Sequence, residues 1–327
     1  MAYSAEVLNR ARTRLANMRA DRETEARQRL QNAYEQLPRL REIDHQLRLT
    51  MAMAAQSVFA QGADAGTAME QAKQENLSLQ KERQALIESR FGKDYLNENP
   101  LCARCGGSGY LGSTMCNCLE ELCKQEQKKE LSMLIGGEES FGRFRLEYYP
   151  DETDARYGVS PRLLMQKNYK ICRQYAQNFG KDAGNLLFIG DTGLGKTFLS
   201  ACIADAVAEK GYWVIYESAT RLFQKLEQAK FGTDEEMRQQ VQNAYHCDLL
   251  ILDDLGTELP GQFVTASLYQ LLNERLLNGK SMIVSTNLLI EEIRKRYSPQ
   301  IASRLEGNFN RLTFVGEDIR VLKNRGL

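Results

Sequence analysis

Apolar residues recur at three- and four-residue spacing in the first part of the chain, in the stretches 8–37, 40–58 and 72–86. Pro38 separates the first two stretches, and a break at Gly62–Gly66 separates the last two. This spacing lays one narrow apolar stripe on each helix, and such stripes need a surface to be buried against. The pattern therefore predicts an all-α interaction domain over residues 1–97, with a plain helical spacer as the alternative.

The pattern changes near residue 160, where apolar strands begin to alternate with helical segments. The predicted strands are residues 185–190, 213–218, 248–254, 281–287 and 311–315. Parallel strands need crossover helices, so the alternation predicts an α/β domain with a three-layer parallel sheet over residues 156–327. Residues 125–155 are expected to form a linker before it.

A glycine-rich turn follows the first predicted strand. It reads Gly190-Asp191-Thr192-Gly193-Leu194-Gly195-Lys196-Thr197 and matches the pattern of a phosphate-binding loop at every required position. The glycines let backbone N–H groups point at phosphate oxygens, and the following helix adds its positive end. Lys196 is expected to neutralise phosphate charge and Thr197 to bind Mg²⁺. The loop therefore predicts binding of ATP with Mg²⁺.

Two carboxylates end the third predicted strand, at the edge of the sheet where ligands bind. Asp253 is expected to hold Mg²⁺, and Asp254 is expected to orient and help deprotonate the water that attacks the γ-phosphate. Asn287 ends the next strand and would reach the γ-phosphate or that water. Arg304 is a candidate for stabilising charge on a neighbouring subunit's γ-phosphate, with a surface salt bridge as the alternative.

The composition of the chain excludes some classes of protein but does not by itself identify a function. The chain has 327 residues, with 43 basic residues that balance 43 acidic ones. This balance excludes a histone-like protein that binds nucleic acid through bulk charge. No apolar run is long enough to span a membrane, and the N-terminus lacks the apolar segment of a secretory signal. We therefore expect a cytoplasmic protein with no membrane partner, whose cysteines bind metal or stay reduced.

Four cysteines lie close together in a glycine-rich segment, with the spacing Cys102-x2-Cys105-x10-Cys116-x-Cys118. Four thiolates can close a tetrahedral Zn²⁺ site, so residues 98–124 are predicted to form a zinc knuckle. Cys123 is an alternative to Cys118 as the fourth ligand. Redox-active thiols are the alternative to a metal site.

These residues together resemble the AAA+ ATPases, and within them the bacterial replicative-helicase loaders of the DnaC/DnaI type. The likeness covers most of the chain and is strongest in FGRFRLEYYP (141–150), NLLFIGDTGLGKTFLSACIA, LLILDDLG, IVSTN and GEDIR (316–320). It implies an AAA+ P-loop NTPase fold without the helical C-terminal lid of many relatives. Loaders of this type also carry a cysteine knuckle between their helical and ATPase parts.

The resemblance gives the loop, the aspartate pair and Asn287 the Walker A, Walker B and sensor-1 roles, and it makes Arg304 an arginine finger. Many AAA+ enzymes have Glu where this chain has Asp254, which puts fast hydrolysis in doubt, although members of this group carry Asp there. The resemblance also implies that residues 217–232 line a single-stranded DNA track. Arg221 and Lys225 would then contact DNA.

The function implied is that of an ATPase that binds the replicative DNA helicase and assists its loading on single-stranded DNA. The resemblance also implies that the chain self-associates through AAA+ interfaces and hydrolyses ATP to ADP and phosphate. A transposition-helper ATPase of the IstB type is the nearest alternative, although that group usually has a shorter, cysteine-poor N-terminus. A nucleotide-binding adaptor without turnover is a further alternative.

Overall fold

The computed structural model describes residues 3–57, 65–97, 99–135, 139–180 and 182–325. The chain divides into two compact units. One unit consists of Met1–Ala11 with Glu120–Leu327, and the other of Arg12–Leu119. No helix within the described ranges is both long and apolar enough to cross a membrane.

Three helices dominate the N-terminal part of the chain, namely α1 (Ala5–Gln36), α2 (Pro38–Ser57) and α3 (Ala65–Phe91). Pro38 starts α2, a position where its missing N–H costs no helical hydrogen bond. Most of the predicted break at Gly62–Gly66 lies outside the described residues, but Gly66 belongs to α3. The three helices confirm the predicted helical region.

A small core holds these helices together. Ala33 of α1, Leu40 of α2 and Ile87 of α3 are buried against one another. Tyr34, Leu37, Phe91, Tyr95 and Leu96 cover them from the sides. Part of each apolar stripe is thus buried, whereas Met18 of the first stripe is 40% exposed. The end of the second stripe, residues 51–58, lies outside the residues whose side chains are described.

A two-stranded antiparallel hairpin follows, with β1 (Tyr110–Leu111) paired to β2 (Thr114–Met115). Gly109 precedes it with φ of +80°, and a β-carbon there would lie 2.9 Å from a methyl carbon of Leu15. Both the backbone angle and the close approach require glycine at this position. The chain then continues into α4 (Asn117–Ile135).

Two short 3-10 helices, Phe141–Arg143 and Leu146–Tyr148, lead into the α/β part of the chain. Its elements in order are α5 (Pro161–Asn178), β3 (Leu186–Ile189), α6 (Lys196–Glu209), β4 (Val214–Ser218), α7 (Ala219–Phe231), α8 (Glu235–His246), β5 (Leu249–Leu255), α9 (Gln262–Leu277), β6 (Ser281–Thr286), α10 (Ile290–Arg296), α11 (Pro299–Asn308), β7 (Asn310–Thr313) and α12 (Ile319–Asn324). The five strands β3 to β7 form one parallel sheet in the order β4-β5-β6-β3-β7.

Helices cover both faces of this sheet. Alternate residues of β3 point to opposite sides, so Leu187 and Ile189 join one buried cluster while Leu186 and Phe188 join the other. The first cluster includes apolar residues of α7 to α11, and the second includes residues of α5 and α6. A parallel sheet buried on both faces is the predicted three-layer architecture.

Arg275 of α9 is fully buried, which is unusual for a charged side chain. Its guanidinium donates hydrogen bonds to the backbone oxygens of Ala244 at 2.7 Å and of Ser281 at 2.6 Å. It therefore ties α9 to the end of α8 and to the start of β6. No sequence pattern marks Arg275, because its partners are backbone groups that only the fold brings near.

Replacing Arg275 with methionine should destabilise the protein by about 2–5 kcal/mol, because two buried carbonyl oxygens lose their donors. Chemical denaturation measures the change. Arg173→Met on the exposed side of α5 is the control and should stay within about 0.5 kcal/mol of the wild type. Equal stability of the two variants would show that Arg275 does not hold these elements together.

Candidate functional site

The predicted phosphate-binding loop lies between β3 and the N-terminus of α6. Gly193 and Gly195 have φ of +74° and +91°, values that side-chain-bearing residues rarely adopt. A β-carbon on Gly193 would also lie 2.0 Å from a carboxylate oxygen of Asp318. The loop can take this shape only with glycine at both positions. The backbone N–H groups at the start of α6 therefore surround a site that favours an anion.

Lys196 is the first residue of α6, and its side chain folds over the loop. Its ammonium donates hydrogen bonds to the backbone oxygens of Gly190 and Asp191, both at 2.7 Å. Burial lowers the pKa of Lys196, while the nearby carboxylates of Asp254 and Asp253 act in the opposite direction. The lysine is thus a buried cation held at the loop, as required for contact with phosphate.

Asp253 accepts hydrogen bonds from three hydroxyl groups at the end of β5. The Thr197 hydroxyl donates to Asp253 Oδ2 at 3.0 Å, and the Tyr216 hydroxyl donates to the same oxygen at 2.6 Å. Ser285 donates to the other oxygen, Oδ1. Burial and the neighbouring Asp253 raise the pKa of Tyr216, which keeps this phenol protonated. Thr197 and Asp253, the two predicted Mg²⁺ ligands, are therefore in direct contact.

Asp254 has φ of +55° and is the one described residue other than glycine with a positive φ. The pairing of β5 with β6 is irregular at this point, between Leu252 and Leu255. Its backbone N–H donates to the Ser285 hydroxyl at 3.0 Å, and its side chain lines the pocket above the loop. Strained backbone is common where a side chain must be aimed at a ligand.

The environment of Asp254 makes it a better proton acceptor than an ordinary aspartate. Burial, and then the adjacent Asp253, raise the pKa of its carboxyl, while Lys196 and Arg320 act to lower it. A raised pKa increases the basicity of the carboxylate once it is ionised. This property suits a group that accepts a proton from an attacking water.

The pocket beside the loop has a volume of about 280 Å³, and basic residues outnumber acidic ones in its lining. Beyond Lys196, its basic residues are Arg143, Arg145, Arg320 and Lys323. The sequence stretches 141–150 and 316–320 carry most of them, but their spacing alone gives no sign that they meet at one site. Asp254 and Glu139 are the acidic residues in the described lining. This excess of positive charge suits a triphosphate.

Asn287 and Arg304 are not among the described residues that line this pocket. Asn287 is exposed after β6, close to the backbone of Gly256. Arg304 of α11 donates hydrogen bonds to the Tyr269 hydroxyl at 2.8 Å and to the side-chain oxygen of Asn273 at 3.0 Å. Its guanidinium also lies 4.2 Å from the centre of the Tyr269 ring. These contacts with α9 are to neutral side chains.

Glu258 was not predicted as a site residue, yet its buried carboxylate joins the loop after Asp254 to the helices that carry Arg304. It accepts a hydrogen bond from the Gly256 N–H at 2.9 Å and another from the Tyr297 hydroxyl. The Arg296 guanidinium lies 3.7 Å away. Glu258 therefore connects this loop to Arg296 of α10 and to Tyr297, at the junction between α10 and α11.

The two predicted DNA-contacting residues are engaged within the protein. Arg221 lies 3.3 Å from a carboxylate oxygen of Glu217, and Lys225 pairs with the other oxygen. Glu217 is buried, so both cations compensate its charge. Phe223, on the same helix, is buried in the core. Arg221 is exposed and Lys225 is half-buried.

The four predicted zinc ligands gather in one cluster, in which all sulfur atoms lie within 4.8 Å of one another. The separations are 3.8 Å for Cys102–Cys116 and 3.4 Å for Cys105–Cys118. A tetrahedral site with bonds of about 2.3 Å places its sulfur atoms about 3.8 Å apart. The cluster therefore has the dimensions of a zinc site.

The thiols of this cluster differ in acidity. Burial opposes ionisation of Cys105, but hydrogen bonds, first from the Gly109 N–H, lower its pKa to about 6. Burial raises the pKa of Cys118 to about 12. Cys123 is buried and does not belong to the cluster formed by the described residues. The structure thus groups Cys118, rather than Cys123, with the other three cysteines.

A parallel sheet with a glycine loop after one strand and two aspartates at the end of another defines a P-loop nucleotide-binding domain. Residues 165–314, just under half of the chain, match the family described as IstB-like ATP binding protein. The description of this family agrees with the ATP-binding character expected from the loop.

Individual proteins show further similarities. The chain is 25% identical to the chromosomal replication initiator protein DnaA of Aquifex aeolicus, over 58% of this chain and 47% of that protein. It is 29% identical to a Sinorhizobium fredii protein named as an insertion sequence ATP-binding protein, over 55% of this chain and 72% of that one. The chain spans about half of the initiator and 34% of a second protein of that name from the same organism. The solved structure of DnaI gives a TM-score of 0.46 at 17% identity, covering 59% of this chain and 98% of that chain.

Asp254→Asn should leave ATP affinity within about twofold of wild type, because the side chain keeps its size and lies outside the phosphate loop. Turnover should fall by about 10²–10⁴, the usual contribution of a general base. Phosphate release and nucleotide titration measure the two quantities. Asp182→Asn, an exposed aspartate, is the matched control. Unchanged hydrolysis in Asp254→Asn would assign the base to another residue.

The rate should also depend on pH in a defined direction. Because the pKa of Asp254 is raised, turnover should decline with falling pH at a value above the ordinary 3.8 of an aspartate. Any remaining activity of Asp254→Asn should lack this decline. A wild-type rate that stays flat down to the ordinary range would contradict the raised pKa.

Metal analysis of the purified, reduced protein should find about one zinc per chain. Cys118→Ser should lose the metal, because one of four ligands is removed, whereas Cys123→Ser should retain it. The two variants are matched in chemistry and separate the alternatives left open by the sequence. Zinc loss in Cys123→Ser with retention in Cys118→Ser would reverse the ligand assignment, and metal-free wild type would favour redox thiols.

Proposed function

We propose that this chain is an ATPase that binds the replicative DNA helicase and assists its loading on single-stranded DNA. The observation that carries the proposal is the combination of an ATP-binding match over residues 165–314 with a separate helical unit that holds a four-cysteine cluster. An ATPase core alone explains neither the helices nor the cysteines. Helicase loaders, which the sequence motifs resemble, combine these three parts.

In this mechanism the loop and Lys196 bind the phosphates of ATP, and Arg320 adds charge at the opposite wall of the pocket. Thr197 and Asp253 would hold Mg²⁺, since their oxygens already lie within 3.0 Å of each other and both are hard ligands. The metal would neutralise charge on the phosphate oxygens. Asp254 accepts the proton of the attacking water, which yields ADP and phosphate.

Arg304 acts in trans in this proposal. Its contacts with Tyr269 and Asn273 hold the guanidinium on the surface of α9, outside the pocket of its own chain. From this position Arg304 would serve a neighbouring subunit's site. Assembly would thus be coupled to ATP, and Asn287 would respond to the nucleotide from the end of β6.

Single-stranded DNA would contact the surface of α7, where Arg221 is exposed. Structural support is stronger at the far end of this helix. Phe231 is 72% exposed and lies 5.9 Å from the ring of Phe263, and the Lys230 ammonium lies over both rings. An exposed phenylalanine beside a half-buried one, with a cation over both rings, suits base stacking and phosphate contact. We therefore extend the proposed DNA-binding residues to this end of α7.

Arg304→Ala should bind ATP normally but lose turnover, by a factor of roughly 10³ if it acts as in efficient GTPases. Mixing it with Lys196→Ala should restore partial activity, because one mixed interface pairs an intact loop with an intact arginine. Phosphate release over a range of mixing ratios measures this rescue. Arg173→Ala is the control for loss of an exposed arginine.

The trans role would be wrong if the two variants assemble with each other and mixing restores no activity. Arg304 would then only hold α11 against α9.

A transposition-helper ATPase is the second candidate. The family description of residues 165–314 and the names of the Sinorhizobium fredii relatives favour it. Such a protein would act on a DNA-bound transposase rather than on a helicase. The two candidates share their ATP chemistry, so only the partner separates them.

The function is tested with the full-length chain and the replicative helicase of the same organism. With ATP, the chain should bind the helicase and increase its loading on single-stranded DNA coated with binding protein, measured as unwinding. The Lys196→Ala variant should bind the helicase and fail to load it. If the chain does not bind the helicase but stimulates DNA strand transfer by a transposase, it is a transposition helper instead.

A further inference from the structure

The helical unit contains an open pocket of about 700 Å³ with an excess of positive charge. Five arginines line it, namely Arg19, Arg22, Arg27, Arg29 and Arg83, and we refer to it as the arginine pocket. Glu23 is the one acidic residue in the described lining. The chain as a whole has no net charge, so this concentration of guanidinium groups is a local feature.

Four of the five arginines come from α1. Arg19, Arg22 and Arg29 are separated by three and seven residues, which places them on one face of the helix, whereas Arg27 lies about 120° around the helix from the middle of that face. The distance from Arg19 to Arg29 along the helix is about 15 Å at 1.5 Å per residue. The positive charge therefore forms a line rather than a single point.

Three of the five arginines are held in place by other groups of the protein. The Arg83 guanidinium pairs with Asp44 at 2.6 Å, and Arg29 donates to the backbone oxygen of Tyr95 at 3.5 Å. Arg19 pairs with Glu23 at 3.1 Å. Arg22 and Arg27 are exposed, and neither has a hydrogen bond or ion pair among the described residues. Two guanidinium groups are thus available to a ligand beside three that are held in place.

Like charges gathered at one site repel each other and reduce stability unless an anion compensates them. Guanidinium groups bind phosphate and carboxylate through paired hydrogen bonds. A line of about 15 Å is long enough to contact more than one phosphate of a strand, since each nucleotide of a duplex strand advances about 3.4 Å along the helix axis. We propose that the arginine pocket binds the phosphodiester backbone of a nucleic acid strand. This site is separate from the surface of α7, and the proposal does not depend on whether the chain loads a helicase.

The test compares two double variants of the full-length protein. Arg22→Gln with Arg27→Gln removes the two available guanidinium groups. Arg41→Gln with Lys81→Gln removes the same charge from exposed positions of the same unit that do not line the pocket. Fluorescence anisotropy with a labelled oligothymidylate measures affinity over a series of salt concentrations, and circular dichroism verifies equal helix content.

The pocket variant should bind the oligonucleotide about a hundredfold more weakly, because two charge-assisted contacts are lost and each is worth about a factor of ten. The slope of log affinity against log salt should fall by about 1.4, or 0.7 for each lost phosphate contact. Restoring charge with Arg22→Lys and Arg27→Lys should recover most of the slope. Equal affinities and slopes for the pocket and control variants would overturn the proposal.

Competition distinguishes the possible sources of negative charge. Tripolyphosphate is used in the Lys196→Ala background, where the phosphate loop has lost its cation, and polyglutamate is used at equal charge. Displacement of the oligonucleotide by tripolyphosphate, and much less by polyglutamate, supports a phosphate-specific pocket. Equal displacement by polyglutamate would indicate a site for an acidic protein segment and would overturn the assignment to nucleic acid.

Discussion

The nucleotide site depends on the hydrogen bonds that the Asp253 carboxylate accepts. This carboxylate accepts hydrogen bonds from Tyr216 of β4, Thr197 of α6 and Ser285 of β6, and it belongs to β5 itself. Four elements of the α/β unit thus meet at one charged group. Ser285 also accepts a hydrogen bond from the backbone of Asp254, so the same contacts fix the catalytic candidate. Because this group is buried, each missing partner would leave charge without compensation.

Features formed by residues that are close together in the sequence could be predicted well. Glycine spacing and the strand before it locate the phosphate loop, and four apolar residues locate the strand that ends in Asp253. Tyr216, Ser285 and Arg320 could not be recognised this way. Their importance comes from the register of β4 and β6 beside β5 and from the position of α12, which only the folded chain defines.

The partners of charged residues could not be predicted from the sequence either. Arg221 and Lys225 have the composition of a DNA-binding surface, and their pairing with Glu217 follows from the close approach of α7 to the end of β4. The arginines of α1 look like an ordinary solvated helix face in sequence. Only the position of Arg83 on α3, beside them, turns the face into a pocket. The cysteine cluster was predictable because its ligands are close in sequence, as the spacing of a zinc knuckle requires.

The central claim, that Asp253 and the loop together bind ATP with Mg²⁺, can be measured directly. Isothermal titration of ATP with and without Mg²⁺ should show tighter binding with the metal for wild type. In Asp253→Asn this gain should disappear, while metal-free affinity stays within about threefold, because the amide keeps the size of the side chain and one acceptor oxygen but lacks the charge that binds the ion. Asp248→Asn is the control at the opposite end of β5. A full Mg²⁺-dependent gain in Asp253→Asn would contradict the account.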